Sequence, residues 1–257
     1  MLTFRNTNAF FIFLLADSIS VHIQSGLSYY IYLLLFIAWS LIVFWGCISL
    51  NSGFFFTVIF GANTERKEIA ISFDDGPAEN YTREILKVLK DEDIKAAFFC
   101  IGKRIPGNET ILQEIDAAGH IIGNHSYSHH FWFDMFSAKK MLNDLQKMDE
   151  AMLKAVGYTT SLFRPPYGVT NPNLRKAVIR GQYIPIGWSV RSMDTVSKDK
   201  EKLLKKLCAR LEPGGIFLFH DTCKITLDIL PQFIQEVKKR GYNILPLNKL
   251  LDLRHYE

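Results

Sequence analysis

The sequence has little excess of either charge. Its formal net charge is +4 over 257 residues, too mild a balance to point to nucleic acid as a partner. Cysteine is scarce too. Cys47, Cys100, Cys208 and Cys223 are scattered without a Cys-x-x-Cys pair, which offers neither a disulfide framework nor a thiolate zinc site and leaves the redox compartment undecided. Nothing repeats at a fixed period, and no low-complexity linker appears. The length suits one α/β domain of barrel size plus something small.

One stretch lacks charge altogether. Leu27 to Leu50 contains no Asp, Glu, Lys or Arg, and much of the 48% hydrophobic content sits in the first sixty residues. As a helix this run would be roughly 36 Å long, enough to cross a hydrocarbon core of about 30 Å with some tilt. Tyr29, Tyr30 and Tyr32 near one end and Trp45 near the other fit interfacial belts. A transmembrane helix is predicted here. Ala9 to Ala16 is a second apolar run, stopped by Asp17. It suits either a signal-peptide core, although Leu14 spoils the small-x-small cleavage pattern, or the first arm of a helical hairpin turning near Gln24-Ser25-Gly26. The hairpin is the preferred reading. Arg5 and the Arg66-Lys67 pair lie outside the two arms, so the positive-inside rule would place both ends of a hairpin in the cytoplasm, whereas a single crossing would place the rest of the chain outside.

From Lys67 onward, strand and helix patterns alternate about seven times, which implies parallel strands with crossover helices. Strands are predicted at Lys67–Phe73, Ala96–Ile101, His120–Ile122, Ser161–Phe163, Tyr183–Val190, Ile216–Phe219 and Tyr242–Leu245. In parallel α/β barrels the working residues lie where strands end and loops begin. The chemically interesting residues of this chain all fall at such positions.

The first is Ile69-Ala-Ile-Ser-Phe-Asp74-Asp75-Gly76-Pro77, an apolar run ending in two carboxylates. On a regular strand the two acids would face opposite ways. They share one site only if the strand stops there and Gly76 lets the backbone swing away. One acid could then hold a metal while the other takes a proton; alone, the motif equally fits a solvated turn. The second cluster contains His125 and His129. Four residues apart on a helical turn, they would share a face and could reach one ion. Asp75 with these histidines would make a two-His, one-carboxylate site, suited to zinc or non-haem iron. Arg164 in Arg-Pro-Pro-Tyr167-Gly could hold Asp74 ionised, and the Tyr167 N–H could point into the site. His220, ending an apolar strand, suits a general acid, and Asp194 could orient it as a carboxylate orients the histidine of a triad.

Together these motifs resemble carbohydrate esterase family 4, the NodB-type polysaccharide deacetylases, over roughly Lys67 to Leu250. Ser72-Phe-Asp74-Asp75-Gly-Pro77, His125-x3-His129, Arg164-Pro-Pro-Tyr167-Gly168 and Leu218-x-His220 occur in the family's order. The resemblance implies an α/β fold, a distorted (β/α)7-type barrel at residues 61–257, here preceded by a membrane anchor at residues 1–60. It implies metal-dependent removal of N-acetyl groups from an amino-sugar glycan. Asp75, His125 and His129 become the ligands of a divalent ion, zinc in the first instance, with cobalt or another divalent ion as alternatives. Asp74 becomes the base, Arg164 its modulator, His220 the acid and Asp194 the residue tuning that acid. Tyr167 contributes its backbone N–H and Leu218 lines the acetyl pocket. The expected partners are an N-acetylated glycan and a membrane around the N-terminus, with no nucleic acid and no protein partner. The family role favours an extracytoplasmic site. An O-acetyl ester or N-formyl lipid-linked sugar is the runner-up substrate, and a non-catalytic glycan-binding barrel is the reading from another class. One motif departs: the family commonly has Asp-x-x-Asp-Trp where this chain has Arg191-Ser-Met-Asp194-Thr195. That change would alter the acyl-pocket wall and add positive charge at the rim.

Overall fold

The computed structural model describes residues 2–253. Its centre is β1 (Glu68–Asp74), buried from Ile69 onward and paired in parallel with β2 (Ala97–Cys100) and β7 (Ile216–His220). The sheet continues through β3 (Ile121–Asn124), β4 (Leu162–Phe163) and β5 (Ile184–Pro185) on one side. On the other side β6 (Val190–Arg191) pairs with β7, and β8 (Asn243–Ile244) pairs with the start of β1.

Alternation along the strands sorts the side chains. Ile69, Ile71 and Phe73 of β1, with Phe217 and Phe219 of β7, join the larger core beneath the helices. Ala70 and Ile216 belong to the core on the other face. Ser72, Asp74, Leu218 and His220 continue that inner row toward the ends of the strands. The acid at the end of β1 and the histidine at the end of β7 therefore face one space.

The expected distorted barrel is a half-barrel in its hydrogen bonding. The run predicted as one strand, Tyr183–Val190, breaks into β5 and β6, which form opposite edges of the sheet. The reason lies in where its carbonyls go. Ile186 and Gly187 give theirs to the Arg164 guanidinium, at 3.2 and 2.8 Å, and Pro185 has no N–H to offer a ladder. An earlier segment fills the seam. Ile59 donates to the Pro185 carbonyl and accepts from the Gly187 N–H, and Gly61 bridges to Gly215. Phe54, Phe55 and Val58 are buried along the same segment.

After β1 and β2 come α3 (Thr82–Asp91) and α4 (Glu109–Ala117), and the next two helices sit where apolar periodicity meets capping residues. In α5 (Ala138–Val156), Ser137 accepts the Lys140 N–H at the start and Gly157 takes φ 86° at the end. In α6 (Pro172–Arg180), Asn171 caps a helix that opens with proline.

The N-terminal segment forms an antiparallel hairpin of α1 (Phe4–Ser25) and α2 (Tyr30–Ile48), turning at Gly26. Trp39 Nε1 donates to Asn8 Oδ1 at 2.9 Å, and the Tyr32 hydroxyl donates to the Ser18 carbonyl. Only α2 is long and apolar enough, by length and composition, to cross a membrane among the described residues. Phe10, Ile12, Phe13, Leu33, Leu34, Phe36 and Leu41 all face outward. The base of the hairpin touches the rest of the fold: Phe4 packs on Phe54 and Phe55, and the Thr170 N–H donates to the Cys47 carbonyl.

Candidate active site

Asp74 and Asp75 share a site because the strand ends in a left-handed residue. Asp75 itself takes φ 79°, so the swing expected at Gly76 occurs one residue earlier. Gly76 is needed for closeness instead. A Cβ there would stand 2.2 Å from Asp221 Oδ2, whose carboxylate accepts from the Thr82 hydroxyl at 2.6 Å. Thr82 in turn accepts the Ala78 N–H. Asp221 and Thr82 thus brace the turn from beneath.

His125 and His129 converge without the helical turn that their spacing suggests. They lie in a loop after β3 in which Ser126 and His129 have positive φ. Side chains hold this loop alongside backbone bonds from the N–H groups of Gly102 and Lys103 to the carbonyls of Ser126 and Tyr127. Asn124 Oδ1 accepts from the Ser126 N–H, Ser126 Oγ accepts from the His129 N–H, and Asp144 Oδ1 on α5 accepts from the N–H groups of Tyr127 and Ser128. The imidazoles end 4.9 Å apart, centroid to centroid. Asp75 Oδ1 lies 3.7 Å from His125 Nε2 and 3.6 Å from His129 Nε2. One ligand atom from each of the three residues lies within 4.8 Å of the others.

The donor set fits a divalent ion. Two imidazoles and a carboxylate match a catalytic metal site with positions left open. The Arg164 carbonyl lies 2.9 Å from His125 Nδ1, which fixes the ring so that Nε2 faces Asp75, as ligating histidines require. Burial and the neighbouring His125 lower the pKa of His129 to about 4 against the pull of Asp75 and Asp74, so its ring is neutral and able to ligate at neutral pH.

Two charged pairs flank the cluster. Arg164, fully buried, donates from Nη1 to Asp74 Oδ1 at 2.7 Å and to Ser72 Oγ at 2.8 Å, while its guanidinium lies 4.0 Å from the Phe99 ring centre. Burial lowers the Arg164 pKa, and Asp74 offsets part of that. On the other side, His220 Nδ1 meets Asp194 Oδ1 at 2.7 Å, and the His220 N–H donates to Asp194 Oδ2. Thr226 adds a hydroxyl to that same oxygen. Burial alone would lower His220; the hydrogen bond and charge of Asp194, aided by Asp74 and Asp75, outweigh it and leave the pKa raised.

Asp74, Asp75, His125, His129 and His220 line a cavity of about 180 Å³, with Tyr167, Trp188, Arg191, Thr195 and Leu218 completing the wall. All nine residues singled out from the sequence are brought together, Asp194 acting from behind His220. The Tyr167 side chain leans over His129, ring centres 4.6 Å apart. Its N–H has no hydrogen-bond partner among the described residues, and its φ of 58° is left-handed. Asp75, Ser126, His129, Tyr167 and Met193 are five of the eight non-glycine residues with positive φ among the described residues. Such clustering of strained backbone marks functional loops.

Comparison with known proteins agrees with this geometry. A family model described as polysaccharide deacetylase matches residues 61–183. A peptidoglycan-N-acetylglucosamine deacetylase of Bacillus cereus is 32% identical over 197 residues, covering 74% of this chain and 90% of the relative. The chain belongs to the polysaccharide deacetylases of carbohydrate esterase family 4. A second member, the peptidoglycan-N-acetylmuramic acid deacetylase PdaA of Bacillus subtilis, is 30% identical, covering 74% of this chain and 73% of its own. The crystal structure of the Bc1960 peptidoglycan N-acetylglucosamine deacetylase superposes with a TM-score of 0.72 at 27% identity, covering 77% of this chain and 94% of the other.

Several residues of this deacetylase site escape sequence reasoning. Ser72, Asn124, Asp144, Thr82, Asp221 and Thr226 all act on the site through one intervening side chain or turn. Their bonds span from 2 to 145 positions of chain, and nothing in their local spacing announces them. Asp221 alone had a signal, as an acid next to the strand-end histidine. Burial pushes its pKa up to about 7, against the Thr82 hydrogen bond.

Proposed function

We propose that the protein is a divalent-metal-dependent N-deacetylase of an amino-sugar glycan, anchored in a membrane by its N-terminal hairpin. The observation that carries the reading is the order of groups in the cleft: a three-residue ligand cluster between a buried Asp–Arg pair and a buried His–Asp pair. Asp75, His125 and His129 would hold the ion. A bound divalent ion supplies Lewis acidity to the acetyl carbonyl and to water.

The remaining chemistry belongs to side chains. Asp74, hydrogen-bonded to the Arg164 guanidinium, accepts the proton of the attacking water. The Tyr167 N–H donates to the oxyanion that develops as water adds to the carbonyl. His220 holds its Nδ1 proton on Asp194 and delivers a proton from Nε2 to the amide nitrogen. The C–N bond then breaks to give acetate and a free amine. Leu218 bounds the space for the acetyl methyl. Trp188, whose ring packs over Gly168, offers an aromatic wall in a cavity where Thr195 stands in place of the family's tryptophan.

The outward-facing apolar side chains of α1 and α2 support the anchor, and α2 has a length of roughly 28 Å, near the thickness of a hydrocarbon core. A hairpin leaves the N-terminus and the catalytic residues on one side of the membrane. Relatives named as peptidoglycan deacetylases support the extracytoplasmic side, against a positive-inside reading of the hairpin that rests on only three charges, Arg5, Arg66 and Lys67.

The test is acetate release from N-acetylglucosamine oligomers by the full chain in detergent. Chelation should abolish release, and added zinc or cobalt should restore it. Metal binding without release from any N-acetylated oligomer would overturn the N-acetyl assignment. Asp144 gives a second expectation. Asp144→Ala removes the carboxylate that pins the histidine loop, and should weaken metal affinity about 10- to 100-fold, as loss of supporting shells does. Calorimetric metal titration checks this, and unchanged affinity would show that the loop holds without it.

A further inference from the structure

The rim of the cleft carries an apolar surface that the proposed chemistry does not use. Phe131, Trp132 and Met135 follow directly on His129-His130 and are 71%, 60% and 77% exposed. Across the cleft, Met193 and Val196 in the loop after β6 are also exposed. Grouped large apolar side chains on an otherwise polar surface mark a contact site. The loop that presents them is anchored. Phe133 between them is fully buried, and Asn171 and Asn173 donate to the carbonyls of Asp134 and Phe136 at 2.9 and 3.1 Å.

Topology indicates what covers this surface. The strands that flank the cleft run parallel, so the loops after β3, β4 and β6 lie at one end of the sheet. The apolar helix α2 joins the fold at that same end. Thr170, in the loop after β4, donates its N–H to the Cys47 carbonyl at 3.0 Å and its hydroxyl to the Gly46 carbonyl at 3.3 Å. The next residue, Asn171, holds the 131–136 loop. Two consecutive residues thus tie the base of α2 to the apolar rim. From there the chain descends to Gly61, paired with Gly215 at the opposite end, before β1 begins. A hairpin leaving from the far end would have put the rim away from any membrane.

We infer that the cleft end of the fold is seated on a phospholipid bilayer, with Phe131, Trp132 and Met135 in the interfacial zone of the leaflet from which the hairpin emerges. Aromatic side chains favour that zone. The exposed Lys139 and Lys140, which begin α5 just beyond the loop, suit anionic headgroups. This inference rests on the anchor and deacetylase readings above and deepens them. The cleft takes its amino sugar from a lipid-linked glycan held at the bilayer surface, not from polymer distant from the membrane.

The test uses the full chain in phosphatidylcholine vesicles brominated near the headgroup end of the acyl chains, compared with Trp132→Phe. The difference in emission isolates Trp132; adding Trp188→Phe to both chains removes the cleft tryptophan, so that the remaining Trp39 and Trp45 report on the hairpin. Strong quenching of the Trp132 component is expected, by about half or more for a ring at interfacial depth. Quenched hairpin tryptophans with an unquenched Trp132 would overturn the seating alone; unquenched Trp39 and Trp45 would overturn the anchor reading and the seating with it. For the substrate, the triple variant Phe131→Ser, Trp132→Ser, Met135→Ser should lose about tenfold or more in rate on a lipid-linked N-acetylated sugar in vesicles. Its rate on soluble oligomers should match the parent. Equal rates of variant and parent on the lipid-linked sugar would overturn the substrate assignment, whereas no activity of the parent on either substrate would count against the deacetylase reading.

Discussion

Asp74→Asn is expected to keep the metal and lose turnover by about 10²- to 10⁴-fold, the usual worth of a positioned base. The amide still offers an oxygen to Arg164 Nη1, but it cannot accept a proton from water. Asp75→Ala is expected to lose both metal and activity, because it removes the carboxylate that lies within 3.7 Å of both imidazoles. Metal content and initial rate, measured on the same preparations, separate the two. Asp74→Asn also leaves the Arg164 charge, wholly inside the protein, without its counter-ion. Breaking such a pair costs about 3–5 kcal/mol, so a lower melting temperature should accompany the lost rate. Near-full activity in Asp74→Asn would refute the base assignment, and retained metal in Asp75→Ala would refute the ligand set.

The second large effect is on the pH profile. Asp194 raises His220 above its ordinary value near 6.5, so the protonated acid persists to higher pH than a free imidazole would. Activity should fall on the alkaline side as pH passes through that raised value. Asp194→Asn removes the charge and leaves burial, which acts to lower His220. The alkaline limb should therefore move to lower pH, with a loss of roughly 10²-fold or more at pH 8, within the range of a mispositioned or deprotonated general acid. The limb staying in place would mean that another group sets it. The stability linkage has a definite sign. A histidine raised in the folded state contributes stability that is fully present below its unfolded pKa and fades as pH rises through the folded one. Asp194→Asn should flatten that part of the stability curve.

Much of the site was legible because strand ends leave a mark in sequence. Asp74 and His220 each close an apolar, β-prone run, and in parallel α/β folds the working residues lie where strands end. The histidine pair was legible as a pair, but its backbone was not. Spacing of four suggested a helical turn, whereas Asn124, Ser126 and Asp144 impose a loop with two left-handed residues. The turn after β1 went the same way: glycine carried the expectation of positive φ, and Asp75 took it. Tyr183–Val190 read as one strand because its side chains are strand-like. Its carbonyls are claimed by Arg164, a residue some 22 positions earlier, and that claim is invisible in the run itself. Long-range side-chain bonds account for most of what sequence reasoning missed.

The seam between β5 and β6 also limits where the polypeptide can be cut. Val58 and Ile59 belong by sequence to the apolar N-terminal stretch, yet they occupy the gap in the sheet, Val58 against Gly187 and Ile59 bonded to Pro185 and Gly187. A chain trimmed at residue 61 would lose the hairpin together with this filler, leaving the β5 edge and the carbonyls around Arg164 open to water and to other chains. Release of a working enzyme from the proposed anchor, by a protease or by design, therefore calls for a break within the short stretch from Ser49 to Gly53, after α2 and before the filler.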